Sequence, residues 1–164
     1  MFFQLVLAAL FFIGIQAGHS QTTVGEIQMN ITPLDNGAPL PGVSIKLYQD
    51  TILLLDTRTV RPDGWVEAAE TAALHLKRNS KYSLVLTKEA YIKLVITIDT
   101  HLPPDISSGK TFLTQADIKM LKADKYPNLQ DSDFPLVLLQ YDKEAKKFLP
   151  SKTYVANIRA MLVK

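Results

Sequence analysis

The chain has no cysteine, a single tryptophan and only seven glycines among its 164 residues. Without cysteine no disulfide can hold the fold and no lipid can be attached through a thiol, so stability must come from an apolar core. Charge of one sign is also missing in excess: 18 basic residues face 16 acidic ones, for a net +2. The densest basic clusters are the pairs Lys77-Arg78 and Lys146-Lys147, with no aromatic residues interleaved. A nucleic-acid partner would need a basic stripe to replace released counterions, and none is expected here.

Residues 1–20 contain no Asp, Glu, Lys or Arg. Phe2 to Ile15 is apolar apart from Gln4 and Gly14, and Gly18-His19-Ser20 follows in a small-x-small arrangement. This reads as a secretory signal cleaved before Gln21. At ~1.5 Å per residue the run covers a little over ~20 Å, short of the ~30 Å hydrocarbon core of a membrane. The segment before the run lacks Lys and Arg, which keeps an uncleaved anchor as the rival reading. Removing 20 of 164 residues leaves 144, enough for one domain over residues 21–164. The expected location is therefore exported, whether periplasmic, outer-membrane-associated or secreted. No transmembrane segment is expected after cleavage.

The rest of the chain is dominated by period two. Ile27, Met29 and Ile31 alternate with Gln28 and Asn30, and Asp35-Asn36-Gly37 supplies turn chemistry. Val43, Ile45 and Leu47 alternate with Ser44, Lys46 and Tyr48; Leu53 to Val60 is a further strand, closed by Arg61-Pro62-Asp63-Gly64. Glu67 to Arg78 carries helix-forming composition, yet Leu74 and Leu76 alternate with His75 and Lys77, which favours a strand. Tyr82 to Asp99 forms the clearest hairpin, with Leu84 and Leu86 on one arm and Ile92, Leu94, Ile96 and Ile98 on the other. Ala116, Ile118 and Met120 oppose Asp117, Lys119 and Lys122, and Pro135 to Tyr141 reads as a buried strand. At the C-terminus Tyr154, Ile158, Met161 and Leu162 recur at helical spacing after Ser151, a plausible N-cap. Seven or eight short strands and one short helix predict a mainly β sandwich. Its core should include Ile31, Val43, Ile45, Leu47, Leu84, Leu86, Ile92, Leu94, Ile96 and Ile98.

Several phrases carry a resemblance. Gly37-Ala-Pro-Leu-Pro-Gly-Val-Ser-Ile-Lys-Leu47, Asp63-Gly64-Trp65, Lys81-Tyr-Ser-Leu-Val-Leu-Thr-Lys88, Ala90-Tyr-Ile-Lys93 and Ile98-Asp-Thr100 occur in that order. Together they resemble the carboxypeptidase regulatory-like domain family, whose members have a transthyretin-like (prealbumin-like) seven-stranded sandwich. The likeness runs over residues 24–100, with a looser continuation in Phe134 to Asp142. It departs at Ala90-Tyr91, where Gly-Tyr is usual in a turn that needs positive φ. Such domains are typically non-catalytic modules of exported bacterial proteins, and the resemblance implies no more than that.

The residues argue against an enzyme, a metal and a cofactor. Beyond residue 20 the chain has two histidines, His75 and His101. His101 is the one near both a serine and carboxylates, namely Ser107, Asp99 and Asp105, but no nucleophile-elbow pattern accompanies it, and a solvated loop histidine is expected. Hydroxyisourate hydrolases share the transthyretin-like sandwich, but their C-terminal Tyr-Arg-Gly-Ser is absent from a chain ending Met161-Leu-Val-Lys164. Two distant histidines give no zinc spacing, and Asp124 with Asp131-Ser132-Asp133 lacks the glycine turn and closing Glu of a calcium loop. No catalytic, metal or cofactor residues are therefore assigned. Trp65 and His101 are the possible ligand contacts. Trp65, just after a hairpin turn, either packs at the edge of the core or stacks on a sugar face. The function expected is a non-catalytic structural or protein-interaction component of the bacterial cell envelope, its partner an envelope protein. The alternative is a small secreted carbohydrate-binding protein that uses Trp65 and nearby loops to hold a glycan.

Overall fold

A computed structural model describes residues 26–59, 71–106, 109–126, 129 and 134–162, except the side chains of residues 159, 161 and 162. The proposed signal, the Asp63-Gly64-Trp65 turn, Glu67 to Glu70, Ser107 and Asp131 to Asp133 lie outside those residues. Among the described residues ten strands form two sheets, and one α-helix follows the last strand. Alternation explains most of them: each strand of the core presents every second residue inward and buries it.

The first sheet is built on β1 (Ile27–Asp35), which pairs antiparallel with β2 (Ala38–Pro39) and β5 (Ala72–Leu76) and parallel with β8 (Phe112–Lys119). The β1–β2 hairpin turns on Asn36 and Gly37, both at positive φ, as the Asp-Asn-Gly sequence requires. The strand reading of the Ala-rich segment holds over Ala72–Leu76, because Ala72, Leu74 and Leu76 are buried while Ala73 and His75 face out. The second sheet runs in the order β10 (Lys147–Pro150), β9 (Val137–Asp142), β7 (Leu94–Asp99), β6 (Lys81–Thr87), β3 (Ser44–Gln49) and β4 (Ile52–Arg58). Neighbours are antiparallel except β7 and β9, which run parallel.

One hydrophobic cluster draws on both sheets and includes all ten residues expected in the core. β9 is less buried than its sequence suggests, with Leu139 the one fully buried residue in it. It lies second from the edge, and only the short β10 covers it on that side. The final helix α1 (Lys152–Leu162) starts where Ser151 stands as the N-cap: the Ser151 carbonyl accepts from the Val155 N–H at 3.0 Å, and its hydroxyl is 3.4 Å from the Tyr154 N–H. Ile158 is buried, and the Tyr154 hydroxyl donates to the Pro135 carbonyl at 2.6 Å, fastening the helix to the start of β9.

Ala90 sits at φ +65°, so the turn between β6 and β7 does take the left-handed conformation although alanine occupies it. Its carbonyl accepts from the Ala123 N–H, and Ile92 and Leu121 are joined by a further backbone hydrogen bond, so the turn is held to the chain beyond β8. A non-glycine residue in this region costs about 1–2 kcal/mol, part of which glycine would return as unfolded-state entropy. Ala90→Gly is therefore expected to stabilise the protein by about 0.5–1 kcal/mol in urea unfolding. A loss of stability would mean that the alanine methyl packs usefully there.

Candidate functional site

His101 follows directly on β7 and Thr100. Its backbone N–H donates to Asp99 Oδ1 at 3.0 Å, and its Nδ1 lies 2.6 Å from the same oxygen. Partial burial pushes the Asp99 carboxyl up, but the two hydrogen bonds from His101 and the positive charges of His101 and Lys81 outweigh it and leave the pKa below the usual carboxylate range. A depressed carboxyl contributes stability at pH values above its unfolded-state pKa and loses that contribution as the pH falls through its folded value. The imidazole itself stays mostly exposed. Of its sequence neighbours, Asp105 lies on a separate groove with Lys110, and Ser107 is outside the described residues. The pair thus orients an imidazole that is largely in solvent. His75, on β5, faces solvent 3.8 Å from Glu26. Among the described residues no group of three or more His, Cys, Asp or Glu side chains converges as a metal site. Trp65 lies outside the described residues.

The conspicuous surface is one that sequence reasoning missed. Among the described residues β4 is an edge of the six-stranded sheet and pairs with β3 alone. Its pairing slips by one residue: Leu47 stands opposite Leu55, but Tyr48 stands opposite Leu53, so Leu54 is the extra residue of a bulge. Beyond the bulge the alternation is broken and three consecutive aliphatic residues reach solvent. Ile52 is 65% exposed, Leu53 46% and Leu54 49%. The sequence signal was present in the unalternating run Ile52-Leu-Leu-Leu55, which a half-buried strand would not carry. Natural edge strands are usually blunted by charge or proline, and here the charged residues Asp56, paired with Lys46 at 3.3 Å, and Arg58 stand on the far side of the bulge. Chemically this is a sheet edge with no further strand beside it among the described residues, flanked by apolar side chains, the two parts needed to accept an added strand.

No protein-family model matches the chain, and no curated protein matches it. Solved structures do. Over 60% of this chain it is similar to the TIE protein of Bacillus anthracis, at 15% identity and a TM-score of 0.42, the matched part being 17% of that protein. It is similar to 3-chlorocatechol 1,2-dioxygenase from Rhodococcus opacus 1CP over 60% of each chain (14% identity, TM-score 0.42). Catechol 1,2-dioxygenase from Pseudomonas arvilla C-1 matches over 66% of this chain and 56% of its own (12% identity, TM-score 0.40). The chain thus spans less than two thirds of each of these proteins.

The dioxygenases correct one expectation. The reading of the chain as no enzyme does not stand, since solved structures that it matches, at 14% and 12% identity, are dioxygenases. Fold does not decide chemistry, and at these identities and TM-scores the likeness carries none of the dioxygenases' activity to this chain. No helix among the described residues is long and apolar enough to cross a membrane.

Proposed function

We propose that this protein is an exported, transthyretin-like sandwich, akin to the carboxypeptidase regulatory-like domains. In this reading it is a structural or protein-interaction component of the bacterial cell envelope that receives an extended strand from a partner protein along β4. Export rests on the apolar, uncharged residues 1–20, and the family likeness on the ordered phrases between Gly37 and Thr100. The observation that carries the interaction is the open β4 edge with Ile52, Leu53 and Leu54 turned to solvent. Main-chain hydrogen bonds along such an edge supply affinity, and the aliphatic side chains beside them choose the incoming sequence. Burying three such side chains would contribute about 1.5–3 kcal/mol each before the cost of ordering the partner.

The test is site-specific photo-cross-linking in the native envelope, with the probe placed at Leu53 and, as a control, at Asn157 on the exposed face of α1. A discrete adduct is expected from Leu53 only, and Leu54→Lys in the same chain should abolish it. No adduct at Leu53, or the same adducts from both positions, would remove the proposed docking edge.

A further inference from the structure

A second surface lies at the other edge of the six-stranded sheet. The turn Lys143 to Lys146 joins β9 to β10, and the chain that leads into β8 passes beside it. Between them is a groove of about 320 Å³ lined by Pro103, Asp105, Lys110, Tyr141, Lys143 and Lys146, with the Phe112 ring at its base.

Three lysines from two separate segments therefore face one space, against the single carboxylate of Asp105. None of the three forms an ion pair among the described residues. Two nearby acids do not answer them: the Asp142 carboxylate is turned back to accept from the Ala145 N–H at 2.8 Å, and the exposed Glu144 pairs with none of them. Lys146 holds φ +53°, a conformation that costs a side-chain-bearing residue energy and that fixes the end of the turn.

The floor beneath these charges is aromatic. Phe112, Tyr141 and Phe148 form a mutual edge-to-face cluster with centroids 5.7 to 6.5 Å apart. The Lys110 ammonium lies 5.6 Å from the Phe112 centroid, and the Arg78 guanidinium lies 5.3 Å from it while also donating to the Lys110 carbonyl. Like charges gathered over a low-dielectric surface repel one another, and an anion placed among them relieves that repulsion. The volume is at the lower end of ligand sites, which range over about 300–1,000 Å³, and suits a molecule of about one sugar ring.

We propose that this groove binds a small, multiply charged oxyanion, its acidic groups held by Lys110, Lys143 and Lys146 and its body lying against Tyr141. Carboxylate and phosphate present the same chemistry to lysine, as in an acidic sugar or a phosphate ester. Calorimetry and NMR titration of the purified protein with glucarate, a six-carbon sugar dicarboxylate, with pyrophosphate and with neutral glucose distinguish them. Saturable binding of one or both anions is expected with a Kd below about 1 mM, with shifts confined to the amides around Lys110, Tyr141 and Lys143 to Lys146. The better of the two anions names the source. The double variant Lys143→Gln/Lys146→Gln should bind at least about tenfold more weakly with an unchanged melting temperature. The control Lys119→Gln/Lys125→Gln, away from the groove, should bind as the wild type does. If neither anion saturates, if glucose binds equally well, or if both double variants behave alike, the groove is not an oxyanion site.

Discussion

Ile96→Ala is expected to cost about 3–5 kcal/mol in urea unfolding. Ile96 is fully buried in the middle of β7, with Leu84 of β6 opposite it on one side and Val137 of β9 on the other. Strands fixed on both flanks cannot move in to fill the space left by the missing methylenes, so a cavity term adds to the lost transfer energy. Lys46→Ala, which removes half of an exposed ion pair with Asp56, should cost less than about 1 kcal/mol. Equal costs for the two would mean that β7 is not the central strand of its sheet.

The second large effect is expected at Thr100, the fully buried residue that closes β7. Its hydroxyl accepts from the Ser80 N–H at 2.9 Å and has the carbonyls of Ser80 and Lys77 at 2.7 and 2.8 Å as acceptors for its one proton. The Thr100 N–H donates to the Ser80 carbonyl and its own carbonyl accepts from Asn79, whose φ of +54° marks the tight turn between β5 and β6. One side chain therefore ties that turn to the end of β7. Thr100→Val keeps the shape but strands a buried donor and acceptor, at a cost of about 2–4 kcal/mol. Thr100→Ser keeps the oxygen and should cost about 1 kcal/mol. If the valine variant proved as stable as the serine variant, packing alone would hold the turn. Thr59 makes a similar bridge at the opposite end of the sheet, accepting from Val43 N–H and donating to the Leu40 carbonyl, both at 2.9 Å.

These cases mark where the sequence was legible. Hydrophobic alternation located β1, β3, β6 and β7 and their buried residues, because with a period of two each inward position is decided locally. The Asp35-Asn36-Gly37 turn and the Ser151 cap were legible for the same reason, since their residue types suit a specific backbone geometry. β10 was not foreseen: its hairpin turn, Lys143-Glu-Ala-Lys146, contains no glycine, proline or asparagine, and lysine takes the left-handed position. The β4 bulge was hidden because register depends on which residue of β3 stands opposite, a long-range fact absent from any window of sequence. Thr100 belongs to a recognised phrase, but nothing local says that its hydroxyl bridges two strands. Of the two candidate ligand contacts, His101 follows β7 with its ring largely in solvent and Trp65 lies outside the described residues, while the lysine groove gathers Lys110 with Lys143 and Lys146 from segments that are distant in sequence.

The parallel pairing of β1 with β8 has a consequence for how the chain comes to be folded. Ile27 finds its partner at Phe112 and Leu34 at Lys119, so β1 waits for a strand made some 85 residues later. Loop closure over such separations precedes the contacts that reward it, which places folding among the slow, topologically demanding β proteins, on the order of milliseconds to seconds. Until Lys119 has been made, residues 27–31 have only the β5 side to pair with, and the other backbone edge of β1 stays open to chaperones or to other nascent chains.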